Sequence, residues 1–306
     1  MTAQTQDAPA AVFAEPGTQL PPDTRLRADS TIEWLPANTI GQDPRVNTRE
    51  VDYGWVAAQS KPGVFKWDYL GTIAVSQRDG GARISVDGQH RIALVTAVGA
   101  PDVDLKCEVF RGLSLADEAG LFLGLNASRT IRPVSKFLAR VTMGDPLCSE
   151  VLRIVENRGW QITATPGRGV LSCVKAMERI HTADTIRNGR GGDEPQALHD
   201  ALTLITSAWG QHEQAGHESL ISGLGKLLVR DGGIIRQDRT SGVAGMDRLL
   251  GVLCASGEDP SGLLQRGRSF SGTRVPPVSL PTAIAQVLTQ SWNTNKQTHR
   301  LPPFVA

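Results

Sequence analysis

The sequence feature that most constrains the fold is a junction at the motif DGQHR, where a strand-like run passes directly into a helix-like run. The segment GTIAVSQRDGGARISVDG predicts a β-hairpin, with strands at 72–77 and 82–86 around the turn DGG. The following letters QHRIALVTAVG place apolar residues at helical spacing and predict a helix that ends at Gly99. The chain must therefore turn from strand to helix at Gly88, with no loop between them.

Such a junction concentrates positive character at one point. The first amides of a helix have no intrahelical partner and lie at the positive end of the helix dipole, so they attract an anion. Gly88 lets a phosphate approach closely because it has no Cβ, and His90 and Arg91 add donors in the first turn. The alternative is structural: Asp87 caps the helix and Arg91 pairs with a surface acid.

The charge balance excludes a strong overall field. Lys and Arg number 32 against 31 Asp and Glu, so binding of nucleic acid would have to come from a local patch. No apolar run approaches the roughly 18–20 residues of a membrane span, and the first residues lack the pattern of a signal peptide. The cysteines are widely spaced, without a C-x-x-C pair, which argues against a zinc ribbon or a disulfide scaffold. We therefore expect a cytoplasmic protein without membrane contact.

The pattern along the chain predicts an α+β fold in which a mixed domain is followed by a helical one. Residues 1–28 are rich in Ala, Gln, Thr and Pro without periodicity, and predict a disordered arm. Strand and helix patterns alternate over residues 29–165. Residues 166–306 contain helical patterns bounded by Gly, Pro or Asp, and predict an all-helical domain.

Three helices carry specific predictions. Ser114 and Asp117 have capping-box spacing, which predicts a helix at 115–125. The segment VDYGWVAAQS predicts a short helix that points Val51, Trp55 and Val56 inward. The segment DEPQALHDALTLITSAWGQ predicts a helix capped by Asp193, with a buried stripe at Leu198, Leu202, Ile205 and Trp209.

The junction and its flanks resemble a known family. The order of EWLPANTIGQDPRVN, then VDGQHRIALVTAVGAPDVDLKCEVF, then LNASR is similar to the amino-terminal domain of ParB and its sulfiredoxin-fold relatives. The letters DGQHR match the box of the DndB-like branch. The resemblance covers roughly residues 30–140 and implies a ParB/sulfiredoxin-like domain.

The resemblance implies phosphate contacts from the box and from matching positions around it. These are Gly88, Gln89, His90, Arg91, Asn126, Arg129 and Arg45. The implied ligand is a nucleotide, CTP or ATP, with Mg²⁺. Gln89 and His90 stand where ParB-type boxes carry Glu and Arg, and Leu125 stands where the family carries a metal-binding Glu. These changes weaken the expectation of nucleotide turnover and of metal binding by the protein itself.

Sulfiredoxin activity is excluded by one position of the box. Gln89 stands where sulfiredoxin has its catalytic cysteine, and an amide cannot supply a thiolate. Cys107, on the strand that follows, is left as a thiol that the fold could bring close.

The carboxyl-terminal region contains basic residues that suit a nucleic-acid backbone. The segment LLQRGRSFSGTRVPPVSLP predicts a loop with three arginines, an aromatic ring and no acid: Arg266, Arg268, Arg274 and Phe270. Lys296 and Arg300 add charge further along. A solvated surface is the alternative interpretation of these residues.

Three hypotheses follow. The first is a DNA-associated binding or regulatory protein that recognises a nucleotide or nucleic-acid phosphate and contacts DNA or a second copy of the chain. The second is an enzyme, a nuclease or nucleotide phosphohydrolase, in which Asp87 and His90 are catalytic. The third is a scaffold in a phage or mobile-element complex, in which the box only builds the fold. We favour the first.

Overall fold

A computed structural model describes residues 29–127, 131–163, 165, 167–188, 195–257, 259–294, 296 and 298–304. The predicted arm at 1–28, the phosphate candidate Arg129 and the predicted cap Asp193 lie outside the described residues.

A four-stranded mixed sheet organises the first part of the chain. Its strands are β1 (Ser30–Pro36), β2 (Ile73–Gln77), β3 (Arg83–Asp87) and β4 (Asp104–Arg111), in the order β1-β4-β2-β3. The pairs β1–β4 and β2–β3 are antiparallel, whereas β2 and β4 run parallel. The helices of this part are α1 (Tyr53–Gln59), α2 (Gln89–Ala97) and α3 (Leu115–Leu125).

The sheet is covered on both faces where the junction lies. Ile92 and Val95 of α2 belong to a core cluster with Ile73 and Val75 of β2. A second cluster joins residues of β2 and α3 on the other face, including Ala74, Val86, Phe110 and Phe122. Strand β2 is therefore buried on both sides, which fixes the position of the β3–α2 turn beside it.

The rest of the described chain is helical apart from one short strand pair. Its helices are α4 (Pro133–Thr142), α5 (Pro146–Glu156), α6 (Val174–Asn188), α7 (Ala197–Trp209), α8 (Glu218–Gln237), α9 (Gly245–Cys254), α10 (Ser261–Gly272) and α11 (Leu280–Asn293). The strands β5 (Gln161–Ile162) and β6 (Val170–Leu171) pair in parallel. In the part of the chain that the structure describes, no helix is both long and apolar enough to cross a membrane.

The architecture is mixed, with eleven helices and a small mixed sheet among the described residues, which agrees with the predicted α+β class. The division at residues 165 and 166 stays a prediction. The largest hydrophobic core contains Val134 of α4 and Val151 of α5 together with Leu224 of α8. Helices α4 and α5 thus share a core with the later helices.

Several local predictions are confirmed. Helix α3 has the predicted bounds, and Ser114 and Asp117 form a capping box in which each satisfies the other's backbone amide. The hairpin forms with strand bounds shifted by one residue at three of its ends. The predicted stripe of α7 is buried: Leu198, Leu202, Ile205 and Trp209.

Two local predictions are wrong. Trp55 does not face the interior but is 40% exposed, because the seven-residue helix α1 buries only Val56. The loop predicted around Arg266 and Arg268 is helix α10, which forms because Leu263 and Leu264 pack into the helical core.

Lys296, predicted as part of a basic surface, instead forms a buried ion pair. Its Nζ donates to Asp238 Oδ2 at 2.7 Å and lies 4.1 Å from the centroid of the Trp292 ring. The side chains of Lys296 and Asp238 are 2% and 0% exposed. Burial alone would raise the pKa of Asp238, but hydrogen bonds from Lys296 and Thr240 hold this pKa well below its usual range. The pair fastens the segment after α11 to the loop after α8.

We predict that Lys296→Met lowers the free energy of unfolding at pH 7 by about 3 kcal/mol, because it leaves a buried carboxylate without its main partner. This is the lower end of the range for a broken buried pair, since Arg248 Nε stays 3.6 Å from the same carboxylate. A carboxyl with a depressed pKa stabilises the fold above its unfolded pKa of about 4, and this contribution is lost as the pH falls below that value. The deficit should therefore shrink between pH 7 and about pH 3.

Chemical denaturation of wild type and variant at both pH values measures these differences. The control is Lys226→Met, which removes an exposed lysine bonded to the Thr282 hydroxyl and should change stability by less than about 0.5 kcal/mol. Equal losses for the two lysine variants would contradict the assignment.

Candidate functional site

The strand-to-helix turn depends on Gly88. Its φ is +107°, in the left-handed region that side chains disfavour. A Cβ at this position would lie 2.6 Å from Ile73 Cδ1, so the turn also lacks room for one. Gly88 is the N-cap of α2, and no side chain caps this helix end. The predicted junction is therefore present, and its N-cap residue contributes no side chain to the first amides of the helix.

Arg91 fastens this turn to the neighbouring strand. Its Nη1 donates to the carbonyls of Leu70 at 2.7 Å and Thr72 at 2.9 Å, and its Nη2 donates to Asp87 Oδ2 at 2.8 Å. The guanidinium therefore holds the entrance of β2 and the end of β3 together. These bonds give Arg91 a structural role, and its contact with a phosphate stays a prediction. The structural alternative holds in part, because Arg91 pairs with an acid, Asp87, whereas the N-cap of α2 is Gly88.

Gln89 and His90 connect the same turn to the segment before α1. The Nε2 of His90 accepts a hydrogen bond from the Asp52 amide at 3.0 Å, and the imidazole meets the Trp55 ring edge-on with centroids 5.8 Å apart. The buried Gln89 donates from its side-chain amide to the Arg49 carbonyl. Because His90 Nε2 is an acceptor, this nitrogen carries no proton in this arrangement. Gln89 and His90 thus hold the segment before α1 against the box.

The turn lines a pocket of about 350 Å³, within the usual range for small-molecule sites. The lining consists of the box, polar side chains and aromatic rings: Asn47, Arg49, Asp52, Trp55, Tyr69, Asp87, Gly88, Gln89, His90, Arg91, Phe122 and Asn126. The structure therefore brings the box together with Asn126, as the resemblance implies. Asn126 is buried and donates from its side-chain amide to the Phe122 carbonyl at 2.9 Å.

A second pocket of about 710 Å³ adjoins the first and extends toward α4. The two share four lining residues: Asn47, Arg49, Asp52 and Gln89. Arg49 is exposed and stands where the two pockets meet. Sequence reasoning missed Arg49, Asn47 and Tyr69, because no local pattern distinguishes them and only the fold brings their segments to the box.

Arg45 is not brought to this pocket. It donates from Nε and Nη2 to the two oxygens of Asp43, at 3.0 and 2.7 Å, and Arg78 binds the same carboxylate at 2.9 Å. The hydrogen bonds from Arg45, together with that from Arg78, hold the pKa of Asp43 well below its usual range. Arg78 also bonds the fully buried Glu118 of α3. Arg45 thus has a structural contact outside this pocket, and the phosphate role implied for it stays a prediction.

The three arginines of the carboxyl-terminal part do not line this pocket; Arg266 and Arg268 lie on α10, and Arg274 follows the end of that helix. Arg266 donates to the hydroxyls of Ser256 and Ser291, whereas Arg274 lies 4.8 Å from the centroid of the Phe270 ring. Arg266 and Arg268 are two positions apart on α10, so they project from different sides of the helix. All three are exposed.

Cys107 does not substitute for the missing cysteine of the box. It is fully buried in the core beneath α2, and burial raises the pKa of its thiol to about 11. It does not line the pocket. Among the described residues, no group of three or more His, Cys, Asp and Glu side chains is arranged to hold a metal ion.

No protein-family model, curated protein or solved structure matches this chain.

We predict that Gly88→Ala destabilises the protein more than Gly80→Ala does. Both glycines have positive φ, +107° and +83°, so each substitution carries a backbone cost of about 1 kcal/mol. Only Gly88 has a neighbour, Ile73, at a distance that forbids a Cβ; Gly80 has open space. The steric clash should add about 1–3 kcal/mol to the loss of unfolding free energy. Denaturant titration of both variants measures the difference, and equal losses would refute the close approach.

Proposed function

We propose that this protein is a ParB-like binding protein that holds the phosphate of a nucleotide or nucleic acid at the beginning of α2. The observation that carries the proposal is one pocket lined by both the start of α2, whose N-cap is Gly88, and the exposed Arg49. A helix amino terminus and a guanidinium are both groups that bind anions. The residues of the DGQHR box line this pocket, and the corresponding box of the ParB family binds phosphates.

The residues proposed to contact the phosphate differ from those that the sequence suggests. The amides of Gln89 and His90, in the first turn of α2, and the guanidinium of Arg49 would contact the phosphate. Arg91 and Asp87 would act as positioning residues, because their mutual ion pair at 2.8 Å fixes the turn. Gln89 supports Arg49 by bonding its carbonyl.

Binding is favoured over hydrolysis by the state of the two catalytic candidates. Asp87 is held by Arg91, and His90 Nε2 already accepts the Asp52 amide. A CTP or ATP would bring Mg²⁺ on its own phosphates. The two carboxylates of the lining, Asp52 and Asp87, are both engaged within the protein, so the proposal assigns them no metal. Hydrolysis of nucleotide or plasmid that disappears in Asp87→Ala would support the enzyme alternative instead.

The same proposal includes contact with DNA or with a second copy of the chain, made by the carboxyl-terminal helical part. Exposed arginines support it, and Arg268 and Arg274 are its better candidates because Arg266 already donates to the hydroxyls of Ser256 and Ser291. These residues would contact backbone phosphates and add salt dependence without sequence preference.

We predict that the wild-type protein binds labelled CTP, ATP or DNA at about 50 mM salt and more weakly at about 200 mM salt. Arg49→Ala should weaken binding roughly 10-fold, the usual effect of losing a charged hydrogen bond. Fluorescence anisotropy measures the affinities.

The matched control is Arg179→Ala, which removes an exposed arginine paired with Glu218 outside the pocket lining and should leave the affinity unchanged. Absence of binding by the wild-type protein at low salt, or equal losses in the two arginine variants, would reject the proposal.

A further inference from the structure

Four exposed aromatic side chains lie on two short segments beside the box. They are Tyr53, Trp55, Trp67 and Tyr69, with exposures of 73%, 40%, 48% and 75%. They include both tyrosines of the chain. Among the described residues, the only other strongly exposed aromatic ring is Trp34 on β1, at 65%. Exposed aromatic rings in one place are typical of a binding surface, because burial would otherwise stabilise them.

Two of these rings lie in the wall of the phosphate pocket. Trp55 and Tyr69 line the same cavity as Gly88 and His90. The ring of Trp55 is held in place, since its backbone amide is capped by Asp52 at 2.9 Å and its indole contacts His90. Two aromatic rings therefore line the same small cavity as the start of α2.

The charges around this wall do not favour a long polyanion. Between residues 49 and 69 the basic side chains are Arg49, Lys61 and Lys66, and the acidic ones are Glu50, Asp52 and Asp68. One of the basic groups, Lys66, lies over the Tyr69 ring at 5.4 Å. Because the local charges cancel, affinity from counterion release is small, and contact with the aromatic rings must contribute to recognition.

We propose that Trp55 and Tyr69 form a stacking site for an unpaired nucleobase whose phosphate is bound at the start of α2. This inference rests on the proposed function and names the part of the ligand that the pocket distinguishes. A free nucleotide and an unpaired nucleotide of a single strand present the same chemistry. The bases of a duplex are already stacked on one another, so their faces do not reach the rings.

The test compares ligands with and without an available base. The probes are CTP, ATP, a single-stranded oligonucleotide, a duplex of the same sequence, and pyrophosphate as the phosphate without a base. Binding is measured for wild type, Tyr69→Ala, Trp55→Ala and Trp55→Phe. Trp34→Ala is the matched control, because it removes a tryptophan that is more exposed than Trp55 and does not line the pocket.

We expect nucleotides and the single strand to bind more tightly than pyrophosphate. Tyr69→Ala and Trp55→Ala should each weaken the base-containing ligands by about 10- to 100-fold, the usual effect of losing one stacking partner. Trp55→Phe should recover most of this loss. Pyrophosphate affinity and the Trp34→Ala variant should stay within about 2-fold of wild type.

Three results would overturn the inference and leave the proposed function intact. The first is pyrophosphate binding as tight as nucleotide binding. The second is nucleotide binding that is unchanged in both alanine variants, and the third is duplex binding that depends on Tyr69 as much as single-strand binding does. If none of the phosphate ligands binds the wild-type protein, the proposed function fails together with the inference.

Discussion

The site depends on one guanidinium. Arg91 donates to two carbonyls at the entrance of β2 and to the carboxylate at the end of β3, and so holds the chain where it reverses into α2. Gly88, which directly follows Asp87, has a left-handed conformation, and the start of α2 that it introduces lines the pocket. Gln89 and His90 extend the same bonding to the segment before α1. Together these bonds hold the segments that line the pocket, including those that carry its aromatic rings.

These bonds change the role that we assign to the side chains of the DGQHR box. The polar side chains of the box serve the fold, and the groups proposed to contact a phosphate are main-chain amides and Arg49, which stands outside the motif. Under this proposal the ligand would be distinguished by what surrounds the phosphate, because main-chain amides recognise only negative charge. The rings of Trp55 and Tyr69 are the part of the wall able to make that distinction.

Local signals made part of this structure predictable. The strand-to-helix junction follows from hairpin alternation, a glycine and helical spacing, and α3 follows from its capping box. Predictions failed where contacts between residues far apart in the sequence determine the local structure. The glycines and serines of residues 261–272 suggest a loop, but packing of Leu263 and Leu264 makes them a helix. Lys296 is buried because Asp238, 58 positions earlier, receives it.

The most direct test of this account is a nuclear magnetic resonance titration of the wild-type protein with pyrophosphate, with the backbone amides assigned. The account predicts saturable shifts that are largest for the amides of Gln89 and His90, with the Arg49 guanidinium responding at the same ligand concentration. Shifts that are absent at these amides, or that centre on Arg268 and Arg274, would contradict a phosphate site at the start of α2.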